Sequence, residues 1–359
     1  MSKKPPELSI IIATFNSAKT LSLVLESVKK QTYPKSKIEI LLVDGGSKDK
    51  TIFIGKKFGC KMVKNSRTEP VYGKFLGYKK AKGKYIMYLD HDEVLLNKKS
   101  LESRISALKS NLKAKAIAGG NYKSPKEYPF INDYINEFGD PFSFFIYRLS
   151  KRDGYFADAI KNNYPYKNKK GYVLADFYDV KNLPIIEQVA GGGVIDAHVF
   201  KKEFSQTLND FRLLPNFFYM MVKKYPYLII MKNDPILHYS SETYKKYFKK
   251  LIWRVKNNIF FKSSIGESGY SGRERYMSKI QRLKKYLFLP YALLFIPVAI
   301  DALMLSISRR NIKYLIHIYL VWYMAFIISY YYVKKLLGSK PLLRSYDESS
   351  VIMNKSGND

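Results

Sequence analysis

The sequence holds a single cysteine, Cys60, in 359 residues. One thiol excludes an intramolecular disulfide and every cysteine-rich zinc module, and it fits a reducing compartment. Acid is the second scarcity: 30 Asp and Glu stand against 62 Lys and Arg, a formal net charge of +32. So basic a balance calls for an anionic partner, whether nucleic acid, lipid headgroups or a phosphorylated ligand, and only the placement of the charge can choose among them. No apolar stretch of signal-peptide length opens the chain; "MSKKPPELSIIIATFN" carries only a short apolar run that reads as a strand. No internal repeat is apparent. What is plentiful is apolar: the hydrophobic fraction is 47%, with 31 Tyr and 22 Phe. That excludes a largely disordered polymer and is enough to build one large domain or two modest ones.

The first part of the chain alternates strand and helix signals. Leu8–Thr14 is an apolar run, followed by Asn16 and Ser17 as capping candidates and a helix with Leu21, Val24, Leu25 and Val28 on one face. Ile38–Val43 is a second strand ending at "DGGSKDKT", where Asp49 or Ser47 is placed to cap a short helix. Cys60–Val63 and Tyr85–Leu89 are the third and fourth strands, the last ending at "DHDE". Such alternation predicts a mostly parallel sheet with ligands bound outside the carboxyl ends of its strands. The polar clusters "TFN", "DGGS" and "DHD" all fall there. From Asn121 to Gln188 the pattern is irregular and reads as an extended, partly helical connection, an acceptor-side wall. "AGGG" at Ala190–Gly193 marks a loop of close backbone approach. A helix is expected after Asp210, with Pro215 restricting its first turn, then a strand over Pro226–Met231 and a basic helix over Tyr244–Asn258.

Two carboxylates one residue apart at a strand end, Asp90 and Asp92, can share a hard divalent cation, which also takes phosphate oxygens. Taken alone, Asp-x-Asp is better explained by a solvated turn; delivery by the apolar strand "YIMYL" to the ligand edge favours the metal. Asp210 stands either as a base or as a helix N-terminal acid that suits the dipole. His238, in "ILHYSSETYKKY", stands either as a structural histidine or as a metal ligand.

The runs "LSIIIATFNSAKTLSLVLESVKKQTYPKSKIEILLVDGGSKDKT" and "GKFLGYKKAKGKYIMYLDHDE" resemble the nucleotide-binding half of family-two GT-A glycosyltransferases. The resemblance is close over the first hundred residues or so and looser to about residue 260. It implies that Thr14, Phe15 and Asn16 line the nucleotide pocket, that Asp44 hydrogen-bonds the base, and that Lys74 faces the nucleotide. By the same resemblance Asp90 approaches ribose and metal, Asp92 ligates the metal, His238 completes its shell, and Gly192 and Gly193 shape the sugar pocket. The general base falls to Asp210 in "LNDF", where Asn209 replaces the family's Glu; Asp196 and Glu187 are the reserves. Two further departures are Gly45, where a second acid often follows the strand-two Asp, and His91 between the metal carboxylates, read as a bystander. "IWRVKN" lacks the Gln-x-x-Arg-Trp order of processive polymerases.

The last third differs in kind. Tyr286–Ser308 is nearly all apolar, interrupted by Pro290, Pro297 and Asp301, and Tyr314–Val333 holds no Asp, Glu, Lys or Arg. Each approaches the roughly 20 residues that cross a bilayer as a helix. The alternative is a pair of core helices. Arg273, Arg275, Arg282, Lys284 and Lys285 precede the first run, which places that side in the cytoplasm near anionic headgroups. "SRRNIK" between the runs is itself basic, so a shallow re-entrant pair competes with a spanning hairpin.

The expectation is therefore an α/β chain: a GT-A, Rossmann-like domain over residues 1–260, with a nucleotide half to about 120 and an acceptor half from 121. A basic juxtamembrane linker at 261–285, two transmembrane or re-entrant helices at 286–333 and a polar tail at 334–359 follow. The expected activity is inverting, Mg²⁺- or Mn²⁺-dependent transfer of a sugar, in the hexosyltransferase class, from a UDP- or GDP-linked donor to a glycan or lipid-linked acceptor. It is placed at the cytoplasmic face of the cell membrane, against anionic lipids, with no nucleic acid. A sugar-phosphate nucleotidyltransferase would want a glycine- and base-rich loop after the first strand, and "TFNSAKT" is poor in both. A non-catalytic basic binding protein would not require "DHD", "GGG" and "ND" in this order.

Overall fold

In the computed structural model, which describes residues 5–344, the apolar runs become the strands they predict. β1 (Leu8–Thr14), β2 (Ile38–Asp44), β3 (Lys61–Lys64) and β4 (Tyr85–Asp90) lie parallel in the order β3-β2-β1-β4. Between them run α1 (Ala18–Lys29), α2 (Thr51–Lys57) and α3 (Pro70–Lys80). Every residue of β1 is buried, as expected of a strand covered on both faces. Leu8, Ile10 and Ile12 pack with Leu21, Val24, Leu25 and Val28 of α1, while Ile11 faces Phe75 and Tyr78 of α3. Gly77 lets α3 close on the sheet, since a Cβ there would stand 2.5 Å from Ile11. Asp49 serves two helix starts: it accepts from Ala18 N at 3.0 Å and from Thr51 N at 2.9 Å, whereas Ser17 makes no side-chain cap.

Beyond β4 the chain makes β5 (Glu93–Leu95), α4 (Ser100–Ser110), β6 (Ala116–Ile117) and β7 (Tyr122–Lys123). The stretch read as irregular is more regular than its sequence suggests, with α5 (Phe130–Phe138), α6 (Pro141–Tyr147), α7 (Phe156–Asn163) and the hairpin β8 (Tyr166–Lys169) to β9 (Tyr172–Asp176). Then come β10 (Gly193–Asp196), α8 (Ala197–Glu203), α9 (Phe217–Val222), β11 (Tyr227–Met231), β12 (Ile236–His238) and α10 (Tyr244–Phe260). Where a helix is expected directly after Asp210, the chain forms a 3-10 turn, Phe211–Asn216, with Pro215 inside it, and α9 begins only at Phe217. The large sheet continues β4-β10-β6-β11-β9-β8, with β10 antiparallel to both neighbours, so it is parallel in one half and mixed in the other. A second sheet, β5-β12-β7, sets His238 opposite Glu93.

The C-terminal part holds α11 (Tyr270–Arg273), α12 (Lys279–Leu283), α13 (Phe288–Leu293), α14 (Ile296–Ser308) and α15 (Ile316–Leu336). The stretch expected as a linker is folded onto the domain: Ser278 Oγ donates to Asn182 Oδ1 at 2.7 Å and Gln281 Nε2 to the Leu183 carbonyl at 3.1 Å. The first hydrophobic run is bent by 91° between Leu293 and Ile296, with Phe295 at φ +55°. Among the described residues one straight helical stretch, Ile312–Leu336, is long and apolar enough to cross a bilayer. One face of α15, through His317, Leu320, Val321, Met324 and Ile327, is buried. Leu320, Val321, Met324 and Ile327 share a core with Ile11 and Phe75 of the first half. Of the expected polar tail, the residues after 344 lie outside the described region.

Candidate active site

The carboxyl ends of β1, β2 and β4 converge as the strand order requires. Thr14 Oγ1 donates to Asp44 Oδ1 at 3.1 Å; Ser47 Oγ donates to the same oxygen, and the N–H groups of Gly46 and Ser47 donate to Oδ2, each at 2.9 Å. A carboxylate has about four lone-pair sites, and these donors fill them, so a base approaching Asp44 must displace one. Asn16, at φ +48°, accepts from Lys48 N at 2.9 Å and donates its own N–H to Ser47 Oγ at 2.8 Å. The first two strand ends are thereby stapled together, with Phe15 half-buried between them.

Lys74 is buried on α3, and its Nζ lies 2.5 Å from Asp90 Oδ1 at the end of β4. Burial alone would depress the ammonium, but the charges of Asp90, Glu93 and Glu187 raise it above the ordinary lysine value. Two residues on, Asp92 Oδ1 lies 3.8 Å from His238 Nε2, with the Tyr122 ring over the imidazole at 4.8 Å. Burial pushes the imidazole down, so it is neutral at physiological pH. Burial acts to raise Asp92, and the fields of His91, Lys250 and Lys246 bring it below the usual carboxylate range. His91 Nδ1 lies 3.3 Å from Thr20 Oγ1 on α1.

The glycine loop closes the other side. Gly191 and Gly192 have φ of +62° and +68°, and a Cβ on Gly191 would stand 2.5 Å from Tyr122 Oη, so only glycine fits. Gly191 N donates to both oxygens of Glu93, at 2.9 and 2.8 Å, and Asp90 N donates to Oε2 at 2.9 Å. Glu93 is fully buried and thus ties the Asp90–Asp92 turn to the glycines. Arg104 Nη1 donates to the Gly192 carbonyl at 2.8 Å, and Arg104 also pairs with Asp234 at 2.8 Å. Gly193 pairs with Tyr88 in the sheet. Neither Glu93 nor Arg104 stood out in the sequence. "DHDE" did carry the acid, but its partner is 98 residues away.

Three carboxylates were candidates for the base. Asp210 caps the 3-10 turn and is gripped by Arg212, through N at 3.0 Å, Nε at 2.8 Å and Nη2 at 3.0 Å. Phe211 beside it meets Tyr72 of α3 edge-on at 5.4 Å. Burial would raise Asp210, and the bonds from Arg212 lower it. Among the described residues no hydrogen bond or ion pair joins it to Asp90, Asp92 or His238. Glu187 pairs with the buried Lys151 at 3.2 Å, whose charge pulls it down to about 2, and its own charge is felt at Lys74 and His238. Asp196 caps α8 opposite Tyr85, at the amino end of β4, so the sheet register carries it away from the site.

For a divalent cation, the described residues hold no cluster of three or more His, Cys, Asp or Glu side chains placed as ligands. Asp92 with neutral His238 nevertheless fits as two protein ligands, because phosphate oxygens and water ordinarily fill the rest of the shell around Mg²⁺ or Mn²⁺. Asp90, held by Lys74, faces the same turn.

Comparison with known proteins agrees with this geometry. The glycosyl transferase family 2 model matches residues 9–168. That segment, a little under half of the chain, matches a family 2 glycosyltransferase domain. Over 102 residues the chain is 32% identical to the poly(ribitol-phosphate) beta-N-acetylglucosaminyltransferase TarS of Staphylococcus aureus, covering 27% of this chain and 18% of TarS. Over 133 residues it is 31% identical to the UDP-Glc:alpha-D-GlcNAc-diphosphoundecaprenol beta-1,3-glucosyltransferase WfgD of Escherichia coli, covering 36% and 50%. The matched part thus spans half or less of these relatives. The mannosyltransferase PcManGT of Pyrobaculum calidifontis, solved with GDP-Man and Mn²⁺, superposes with a TM-score of 0.51 over 94% of this chain and 89% of its own, at 14% identity. That likeness shows the fold, GT-A.

Proposed function

We propose that the protein transfers a sugar, with inversion, from a UDP- or GDP-linked donor to a hydroxyl of a lipid-linked or cell-envelope glycan at the cytoplasmic membrane face. The observation that carries this reading is the juxtaposition, at the ligand edge of the sheet, of the buried Lys74–Asp90 pair with Asp92 and a neutral His238. A lysine aimed at that edge pairs with phosphate, and a carboxylate–imidazole pair is a donor set for a hard cation. Thr14, Phe15, Asn16 and Asp44 shape the nucleoside end, and Gly192 and Gly193 the sugar end. A bound Mg²⁺ or Mn²⁺, held by Asp92 and His238 with Asp90 beside it, supplies Lewis-acid neutralisation of the diphosphate leaving group. The names of TarS and WfgD support an envelope or lipid-linked acceptor. The GDP-Man and Mn²⁺ bound to PcManGT support a nucleotide-sugar donor and a metal.

Inversion needs a carboxylate that takes the acceptor proton as the hydroxyl attacks the anomeric carbon. The reading assigns this to Asp210, released from Arg212 when acceptor binds; the field of Glu187 at Lys74 and His238 makes it the rival. The test is a donor screen on purified membranes, with and without Mn²⁺, reading free nucleotide diphosphate. Asp210→Asn is expected to lower transfer by about 10²–10⁴-fold with donor KM kept, the range for loss of a general base. The same loss in Glu187→Gln with Asp210→Asn active moves the base to Glu187. Absence of turnover with every UDP- and GDP-sugar would sink the proposal.

A further inference from the structure

We propose that the C-terminal helices lie in the surface of an anionic bilayer, on the same side as the catalytic site, and do not cross it. This rests on the membrane-facing reading above and adds how the chain meets lipid. A hairpin of two spans would carry its turn to the far side. Here the turn is fastened to the catalytic domain. Glu137 of α5, fully buried, accepts from Arg309 Nε at 2.8 Å and from the Tyr314 hydroxyl, and Arg152 Nη1 donates to Tyr314 Oη at 3.1 Å. The far end of α15 is fastened too: Lys335 Nζ donates to the Ile259 carbonyl at 2.7 Å, and Trp253 Nε1 to that of Arg344 at 2.9 Å. Between these ends α15 runs beside α10, with Phe248 against Tyr323 at 4.6 Å and Phe260 against Tyr331 at 6.2 Å. A spanning α15 would draw α10, with Lys245, Lys246, Lys249, Lys250, Arg254 and Lys256, to bilayer depth, where such charges are strongly disfavoured.

The outward side suits an interface. Leu293, Leu294, Ile296, Ile300, Met304 and Ile307 are each at least 50% exposed around the 91° elbow. The Phe295 ring meets Trp322 at 5.7 Å, which carries this surface onto the outer face of α15. Lys279, Arg282, Arg310 and Lys313 are exposed on the same helices and turns. An apolar face edged by cations is how helices lie in the headgroup layer, drawn by acyl chains and anionic lipid together.

The test uses the full chain with one added cysteine, Lys313→Cys or Ser339→Cys. Cys60 is buried with its thiol pushed up to about 12, and so is silent to maleimide. Both positions are expected to label with impermeant maleimide in inverted membrane vesicles and neither in intact cells. Labelling of the position-313 thiol from outside intact cells overturns the in-plane arrangement while leaving sugar transfer untouched; loss of donor turnover strikes the transferase reading instead. The purified chain is expected to sediment with phosphatidylcholine–phosphatidylglycerol vesicles more than with phosphatidylcholine alone. Leu294→Glu with Ile300→Glu is expected to weaken that binding about tenfold or more, from the apolar burial lost. A chain that ignores vesicles and forms a dimer through this face refutes the proposal in favour of a second copy.

Discussion

Glu93 is the sharpest place to perturb the site, because one buried carboxyl holds two of its walls. Replacing it by alanine leaves the N–H groups of Gly191 and Asp90 without their acceptor. Each buried orphan costs about 1–3 kcal/mol, and water entering the small cavity offsets part of that, so about 3 kcal/mol is expected for Glu93→Ala. Glu93→Gln is expected to cost about 1 kcal/mol or less. Glutamine is nearly isosteric and keeps an oxygen for these N–H groups, and burial with Asp90 and Asp92 nearby already raises the carboxyl above its ordinary range, so little is lost with the charge. Urea denaturation followed by tyrosine fluorescence in lipid micelles measures both variants. Donor turnover should fall about tenfold or more in the alanine variant, because the glycine loop shifts relative to Asp92. If glutamine is as damaging as alanine, the charge itself is needed and the argument from burial fails. If alanine is silent in both assays, Glu93 does not tie the loop.

Three further outcomes follow from the same contacts. Asp92→Asn should lower nucleotide diphosphate release by about a hundredfold or more and abolish its dependence on Mn²⁺ titration, since Lewis-acid stabilisation contributes several kcal/mol. Lys74→Met should raise donor KM and lower stability by about 1–2 kcal/mol, less than for a fully buried pair because Asp90 keeps some water; an unchanged KM would remove Lys74 from the donor site. Glu7 should give acid sensitivity. Burial would raise its carboxyl, but bonds from Lys109 and Tyr33 hold it at about 2 against an ordinary 4.5. Its stabilisation is therefore full well above pH 4.5 and is lost as pH falls toward 2, amounting to about 1 kcal/mol once screening at its half-exposed lysine partners is counted. Comparing wild type with Glu7→Gln across that window in urea melts measures it.

The parallel half was legible because its strands are covered on both faces and so read as unbroken apolar runs: Tyr85–Leu89 was expected and β4 ends one residue later, at Asp90. The same rule brings the acid pair and Lys74 to the carboxyl edge of the sheet, and β12 sets His238 3.8 Å from Asp92. Glu93 and Arg104 escaped because nothing local marks an acid or a guanidinium for full burial; the reasons, Gly191, Gly192 and Asp234, lie far along the chain. For Asp210 the local reading as an N-terminal acid describes its contacts, since its nearest cation is two residues on. The run at 121–188 hid its helices because they are short and begin or end at Pro129, Gly139 and Pro141 rather than showing a long period. Hydropathy found both C-terminal runs but not the elbow, which depends on a positive φ at Phe295 that no apolar pattern encodes.

The burial of Glu137 beneath Arg309 and Tyr314 has a consequence for how the molecule is made. Translation delivers the parallel half of the sheet first, yet its core is shared with Leu320, Val321, Met324 and Ile327, more than 200 residues later than β4. Until Arg309 leaves the ribosome, α5 holds a carboxylate whose cation has not been synthesised, and burying a charge without its partner is strongly destabilising. Cutting the gene before the first hydrophobic run, the usual route to a soluble fragment, makes that intermediate permanent. The hydrophobic helices that follow residue 288 thus complete an interior begun by α5, α6 and α10.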